Sequence, residues 1–426
     1  MSDFLAFNQS AEVICRHDGP GAVWAHVACD SEDSLKAFLA GAAAAGVKVV
    51  ASRPRTLPER VAAEALVFVD IGKLCDVIDY SPADQVIGVG AGISLADIEQ
   101  ILAKRNQWWP VMAADPSATL ADVIAGGDGG CLEHGFGGPR DLVLGMTVAL
   151  SSGAGIKCGG RVVKNVTGYD IGKLFIGSRG WLGVVTAANL RLYARPAASC
   201  SLLWSSGGDG AVLTAARRLL RSGLPLSCLE IVDGRVLAAL ANSSPELERF
   251  CQSISSNCSS ILLTRVDGHA EVVEEVSAAT ERSAGFAPGS AQVVSSDVAE
   301  VLWRRLSNVG QSTTLACLEA SLNLSQLESL FATGWADGQK PLWQARPGRG
   351  RLRLYAADAG SVADLLSAMK AYALTNATTL SVAYGDGEYE YRVEKIPSAD
   401  ACAGKLKAAI KERFDPLRSL NPLVLF

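Results

Sequence analysis

The chain contains only four histidines, His17, His26, His134 and His269, and they are too scattered to form a metal set. No Ser, His and Asp arrangement announces a hydrolase. Its 11 cysteines include no C-x-x-C pair. Cys251 and Cys258, the closest two, are too isolated to hold an iron-sulfur cluster, so the thiols read as reduced and mostly buried. The chain is instead rich in glycine, with 42 in all and a high density between Gly126 and Gly183. At that density the backbone itself looks functional, although each glycine taken singly reads as serving a tight turn. Gly88-Val89-Gly90-Ala91-Gly92 invites a dinucleotide reading, but G-x-G-x-x-G meets Ile93 or Leu95 where a small residue is needed, so a tight strand-to-helix turn is the better reading. A second chemical feature is the run Arg346, Arg349, Arg351 and Arg353, with no acid between Pro341 and Arg353. It could bind a carboxylate or a partner surface, although the pattern favours a solvated hairpin with arginines on its exposed positions.

These stretches need a scaffold, and 426 residues with 49% hydrophobic side chains are enough for two or three domains. Acids outnumber bases 44 to 39, so the net charge of -5 gives no blanket attraction for nucleic acid or anionic lipid. No apolar run approaches the roughly 18 to 20 residues of a membrane span, and the start lacks a secretory pattern, so the cytoplasm is the expected compartment. Ser31 precedes the periodicity of Leu35, Phe38 and Leu39 and predicts a helix start. Gly46 stops that helix, and Val47 to Val50 reads as a buried strand. Ala65 to Val69 and Val86 to Val89 read as further strands. A helix from near Ser94 then places Leu95, Ile98, Ile101 and Leu102 on one face and ends by Asn106 and Pro110. Trp108-Trp109 reads as closing the core beneath it. Leu142 to Leu150 predicts a strand and Asp170 to Phe175 a short helix. After Pro196, strands (Ser201 to Trp204, Ser260 to Val266) alternate with helices (Ala211 to Leu220, Glu271 to Glu281), and the pattern recurs over Ala291 to Leu306 and Thr313 to Phe331. Ser253 to Ser260 reads as a loop. Helices on one face of a mostly antiparallel sheet are expected, in a domain separate from the glycine-rich one.

The most specific stretch runs Gly159-Gly160-Arg161-Val162-Val163-Lys164-Asn165-Val166-Thr167-Gly168-Tyr169-Asp170, then Lys173-Leu174 and Gly177-Ser178-Arg179-Gly180-Trp181-Leu182-Gly183-Val184-Val185. It resembles the vanillyl-alcohol oxidase type FAD-binding family, and most closely the GlcE-like branch of the bacterial three-subunit glycolate oxidases. Those carry a similar G-G-x-V-x-K-N-V-x-G-Y-D followed by G-S-x-G-x-L-G-V. Arg140-Asp141-Leu142-Val143-Leu144-Gly145 resembles the family's R-D-x-V-L-G strand entry. Phe414-Asp415-Pro416 and Asn421-Pro422 resemble its closing F-D-P and N-P-G-R. The resemblance implies an α+β fold: an FAD-binding domain of two α+β subdomains over 1–196, an antiparallel-sheet cap over 197–395, and a C-terminal return over 396–426. It also implies noncovalent FAD, with backbone contacts from Gly183, Val184 and Val185 to the flavin pyrimidine edge. Further cofactor contacts are implied at Arg53, Arg55, Thr56, Pro116, Thr119, Ala125, Gly127 and Gly137, and Gly177 and Gly180 let the preceding turn pass close to the ring.

Two elements depart from the family. The loop expected to be Gly- and Ser-rich reads Val50-Ala51-Ser52-Arg53-Pro54-Arg55-Thr56, so guanidinium groups would replace backbone donors to the pyrophosphate. The family's T-x-G-G stands as Thr119-Leu120-Ala121-Asp122, which sets a carboxylate beside a dianion. At an effective dielectric near 20, unit charges about 4 Å apart repel by roughly 4 kcal/mol. Asp128-Gly129-Gly130-Cys131-Leu132-Glu133-His134 is acidic where relatives are basic. Oxidation of a 2-hydroxy acid by flavin needs a base for the hydroxyl proton and a cation for the carboxylate. His134 is the one candidate base, and the catalytic residue is otherwise unassigned. The resemblance implies a second flavin subunit and an iron-sulfur subunit as partners, a small 2-hydroxy acid as substrate, and membrane association, if any, through partners. The altered elements keep a second expectation open, a cofactor-less structural subunit of such a complex.

Overall fold

The computed structural model describes residues 11–19, 22–51, 66–113, 115–162, 169–241, 244–254, 259–307, 309, 316–333, 340–356, 365, 369, 379–384 and 401–421. Arg53, Arg55 and Thr56 of the first loop, Val163 to Gly168 of the glycine-rich stretch, and Pro422 lie outside them.

Two small α+β units come first. Strands β1 (Glu12–Gly19), β2 (Ala22–Ala28), β3 (Lys48–Ala51) and β4 (Leu66–Asp70) form a sheet in the order β1-β2-β4-β3, with β2, β4 and β3 parallel. Helix α1 (Glu32–Ala44) connects β2 to β3. It starts where the sequence marks it: the Ser31 hydroxyl accepts the Ser34 N–H at 3.1 Å, and Ser34 returns a bond to Ser31. Leu35, Phe38 and Leu39 are buried beneath it.

The second unit is a five-stranded antiparallel sheet, β5 (Val77–Ser81), β6 (Val86–Gly90), β8 (Val143–Ala149), β9 (Gly155–Gly159) and β10 (Val184–Arg191), ordered β5-β6-β10-β8-β9. Helix α2 (Leu95–Ala103) is capped by Ser94, whose hydroxyl accepts the Asp97 N–H at 3.0 Å. Strands β7 (Gln107–Trp108) and β11 (Tyr193–Ala194) form a separate pair. Trp109 joins the core of these two units, as the sequence suggests, whereas Trp108 stacks edge-on with Phe136 at 5.4 Å, toward the cap. Gly90 and Gly92 sit where an added Cβ would meet the Leu74 and Ile71 carbonyl oxygens at 2.2 and 2.0 Å, so close packing accounts for this glycine run.

The cap is one eight-stranded antiparallel sheet, built from β12 (Ala198–Ser206), β13 (Cys228–Asp233), β14 (Ser260–Gly268), β15 (Gln292–Val294), β16 (Ala316–Ser321), β17 (Leu342–Arg346), β18 (Arg351–Ala356) and β19 (Thr379–Tyr384). The expectation of helices on one face fails. Leu202, Trp204 and Leu262 point to one apolar cluster under helices Asp209–Ser222 and Ala270–Ala284, while Leu203, Ile261 and Leu263 point to another under Gly234–Ala241 and Ser296–Ser307. A strand that is apolar at successive positions needs cover on both sides. Ser253 ends a helix (Pro245–Ser253) and Ser260 opens β14, so only the middle of that serine-rich stretch is left for a loop, and residues 255–258 lie outside the described set.

The chain then returns. Helix α3 (Ala401–Phe414) leads to a segment that pairs Leu420 with Val49 of β3: the Val49 N–H donates to Ser419 O and the Asn421 N–H to Val49 O, each at 2.7 Å. Among the described residues, no helix is long and apolar enough to cross a membrane.

Candidate functional site

A narrow cavity, open to solvent on one side, lies where the two α+β units meet. On one side it is lined by Ala51 and Asp70 at the carboxyl ends of parallel β3 and β4, the usual place for a ligand in an open α/β sheet. On the other side lie Thr119, Ala121, Asp122 and Ala125 of the helix Leu120–Gly126, together with Ser178, Gly180 and Gly183 to Val185. The turn leading into β10 is pinned to the end of that helix: the Gly177 N–H donates to Ile124 O and the Arg179 N–H to Ala125 O, both at 2.9 Å. Gly177, Arg179 and Gly180 all take positive φ, at 77°, 53° and 74°. At Gly183 a Cβ would lie 2.6 Å from Val148 Cγ1 and 3.0 Å from Ala149 O, so a side chain has no room there.

The C-terminal return holds this turn from behind. Lys411 Nζ donates to Trp181 O at 2.5 Å, to Asp415 Oδ2 at 2.6 Å and to Leu420 O at 3.0 Å, and it lies 5.0 Å from the centre of the Trp181 ring. Asn421 donates to Arg179 O. Asp415 also accepts the Ser419 and Leu420 N–H groups, so the F-D-P segment organises the clip.

Asp122 stands in the cavity lining, but its carboxylate turns back on its own helix. Its Oδ2 accepts the Thr119 N–H at 3.0 Å and the Thr119 hydroxyl at 2.8 Å, while Thr119 Oγ1 accepts the Asp122 N–H at 3.2 Å. This reciprocal cap spends the charge on the helix N-terminus, where a negative group is favoured, and weakens the repulsion inferred from sequence. Asp70 is engaged as well, accepting the Gly72 N–H at 2.6 Å.

Of the residues expected to contact a cofactor, Thr119, Ala125, Gly183, Val184 and Val185 are brought together in the cavity wall. Pro116, Gly127 and Gly137 are not in its lining. The Pro116 carbonyl accepts the Ala96 N–H, Gly127 ends its helix in a left-handed turn pressed against Gly177, and Gly137 abuts Asp141. His134, the candidate base, is also away from the cavity. It packs on Gly348 of the cap, where an added Cβ would come within 2.2 Å of its Nδ1. Burial and then the Arg349 charge push its pKa below the ordinary histidine value. Cys131 faces the cap too, its thiol reaching toward Trp303 O at 3.9 Å.

The arginine run is where the sequence misleads most. Arg346 and Arg353 are not on a solvated hairpin but 3% and 4% exposed. Arg346 Nε meets Glu230 Oε1 at 2.9 Å and Arg346 Nη1 meets Asp128 Oδ1 at 2.7 Å. Arg353 Nε meets Glu319 Oε2 at 3.0 Å, and Arg353 Nη2 also reaches Asp128. Arg351 Nη1 lies 2.9 Å from Asp128 Oδ1, and Arg349 Nε lies 3.5 Å from Glu133 Oε2. Burial opposes the charge on Asp128, but Arg346, Arg353 and Arg351 outweigh it and hold the carboxyl well below the usual range. Burial instead pushes Glu230 up, against the pull of Arg346. The signal that was available is the alternation Arg351-Leu352-Arg353-Leu354-Tyr355, which marks a strand buried on one face and ionic on the other.

The cavity fits the flavin that the resemblance implies. Its lining brings Thr119, Ala125, Gly180 and Gly183 to Val185 together beside apolar Val69, Ile71 and Phe175, and both lining carboxylates are committed to N–H donors of the protein.

Comparison with known proteins agrees with this geometry. A family described as FAD binding domain matches residues 24–159, and one described as FAD linked oxidases, C-terminal domain, matches residues 195–332. The chain is 36% identical over 128 residues to glycolate oxidase subunit GlcE of Escherichia coli (strain K12), covering 30% of this chain and 37% of that one. It is 31% identical over 210 residues to D-2-hydroxyglutarate dehydrogenase of Xanthomonas citri pv. viticola, covering 49% and 44%. An uncharacterized FAD-linked oxidoreductase of Mycobacterium tuberculosis (strain ATCC 25618 / H37Rv) is 28% identical over 204 residues, covering 48% and 44%. The match thus spans less than half the length of each of these relatives. In fold, the chain superposes on alkyldihydroxyacetonephosphate synthase with a TM-score of 0.66 at 12% identity, covering 94% of this chain and 77% of that one.

Proposed function

We propose that this chain, matched over residues 24–159 by the FAD binding domain and over 195–332 by the FAD linked oxidase C-terminal domain, binds FAD noncovalently in the cavity between β3, β4 and the Gly177 to Val185 turn, as a subunit of a 2-hydroxy-acid oxidoreductase of the glycolate oxidase kind. The observation that carries this reading is that Thr119, Ala125, Gly180 and Gly183 to Val185, from separate stretches of the chain, line one cavity at the carboxyl ends of β3 and β4. Gly183, Val184 and Val185 would present main chain to the pyrimidine edge, with Thr119 and Ala125 beside them on the same wall. Arg53 and Arg55, outside the described residues, would neutralise the pyrophosphate, with Thr56 of the same loop as a further contact. FAD, when bound, supplies the acceptor for a hydride from the substrate carbon. The protein's share is to orient the ring and to keep water from it, with the clip of Lys411, Asp415 and Asn421 fixing the wall.

The similarity to GlcE supports a second flavin subunit and an iron-sulfur subunit as partners, and the two dehydrogenase and oxidase relatives support a small 2-hydroxy acid as the substrate class. We assign the cytoplasm as compartment, with any membrane association made through the partners. A second reading, a cofactor-less scaffold subunit, is favoured by one observation: Asp122 occupies the helix N-terminus in the cavity wall. Flavin released from the purified chain by denaturing extraction separates the two. About one FAD per chain is expected on the first reading, and its complete absence from both the chain and its co-purified complex would sink it.

A further inference from the structure

One face of the cap sheet presents a carboxylate-binding site, and a carboxylate of the same chain already fills it. Arg346 Nη1 and Arg351 Nη1 lie 2.7 and 2.9 Å from Asp128 Oδ1, while Arg353 Nη2 takes Oδ2. The guanidinium groups are aimed by groups other than Asp128. Ser307 O accepts from Arg346 Nη2 and from Arg353 Nη1, each at 3.1 Å. Glu230 and Glu319 hold their Nε atoms at 2.9 and 3.0 Å. Gln344 braces Glu230 at 2.9 Å and is itself held by the Tyr355 hydroxyl at 2.7 Å. With Asp128 subtracted, the remaining N–H groups still converge on one point. That is the arrangement that recognises a free carboxylate through both oxygens.

Asp128 comes from the other side of the domain junction, 218 positions before Arg346, and a further bond from the Gly130 N–H at 2.9 Å shapes its turn. The tethered side chain satisfies the site incompletely. Arg351 Nη1 is close to Oδ1 yet makes no aligned hydrogen bond, and its other neighbour, Glu133 Oε2, is 3.9 Å away. Nor is the position sealed: the Asp128, Arg351 and Glu319 side chains keep 26%, 21% and 25% of their surface exposed. Charge points the same way. Arg346, Arg349, Arg351 and Arg353 face Asp128, Glu133, Glu230 and Glu319, with Asp141 3.8 Å from Arg349 at the edge, so removing Asp128 takes from Arg346, Arg351 and Arg353 the one carboxylate they share.

We propose that Arg346, Arg351 and Arg353 form a binding site for a small carboxylate whose resident ligand is Asp128, a plug that locks the cap to the flavin-type unit and keeps free carboxylates out. While Asp128 stays, a 2-hydroxy acid cannot use these arginines. The inference stands with or without flavin in the cavity, and it is read by carboxylate binding rather than flavin content, so it and the proposed function can fail separately.

The test is thermal unfolding of the full chain in sodium acetate against sodium chloride at matched ionic strength. Asp128→Ala is expected to melt below wild type in chloride and to regain at least about 3 °C, saturably, in acetate, while wild type melts alike in both salts. Asp128→Ser keeps an acceptor for the Gly130 N–H and serves if the alanine variant does not accumulate. Refolding yield in the two salts gives the same comparison if neither does, with acetate-dependent recovery expected. Adding Arg351→Met to Asp128→Ala should abolish the acetate effect. An alanine variant indifferent to acetate, or a wild type stabilised as much as the variant, would overturn the proposal.

Discussion

Replacing Lys411 by methionine tests whether the C-terminal return supports the cavity wall. The side chain is 7% exposed and its partner Asp415 is fully buried. Removing one member of such a pair costs about 3–5 kcal/mol, because the other charge is left without compensation. Asp415 keeps the Ser419 N–H and hydroxyl at 3.1 Å and the Leu420 N–H at 2.9 Å, which favours the low end of that range. Trp181 O and Leu420 O lose a donor, which adds to it. The expected loss is about 3 kcal/mol, measured by urea unfolding followed through tryptophan emission. Asp415→Asn on top of Lys411→Met should recover part of it. The Trp181 carbonyl is the joint between clip and wall, so flavin affinity should fall by about tenfold if close to half of the loss is felt locally. The pH dependence has a definite sign. Burial opposes ionisation of Asp415, but bonds from Lys411 and Leu420 outweigh it and depress its pKa. Its contribution is therefore present above about pH 4 and is lost as pH falls through the lower folded value. Burial also depresses Lys411 despite Asp415, so wild-type stability should rise with pH from the folded lysine value toward about 10, and Lys411→Met should abolish that rise. A stability loss below about 1 kcal/mol, or a full loss with flavin affinity unchanged, would refute the reasoning.

Asp122→Asn keeps the shape of the cap over Thr119 while removing the charge from the cavity wall, so flavin titration should show affinity rising by about tenfold at low salt and less at high salt. Equal affinities at both salt concentrations would mean that the carboxylate is fully spent on the helix. Gly183→Ala places a Cβ against Val148 and Ala149 and should cost about 1–3 kcal/mol together with flavin affinity. Gly126→Ala, where nothing lies within 4 Å of the added atom, is the matched control and should leave both measurements unchanged.

What the sequence made legible is local. Ser31 and Ser94 announce helix starts because a cap involves residues three apart, and each accepts the N–H expected of it, whereas the cap at Thr119 went unread. Gly183 to Val185 could be placed beside a ring because twenty-five residues of matched spacing surround them, and they do line the cavity. The burial of Arg346 and Arg353 could not be read in this way. Their counter-charges, Asp128, Glu230 and Glu319, are 34 to 225 positions away in the chain, so the run looks unpaired when scanned along its length. Only β13, β16, β17 and β18 lying side by side bring the acids of the cap to the arginines, and only the domain junction adds Asp128. The same limit governs Asp122. Its type marks a charge in the wall, yet whether that charge faces the cavity or its own helix depends on a rotamer, which the Thr119 hydroxyl and N–H select. Both surprises have one cause. An acid that breaks the family pattern has found donors inside the protein, and a carboxylate with matched donors is stable whether or not a ligand ever competes for them.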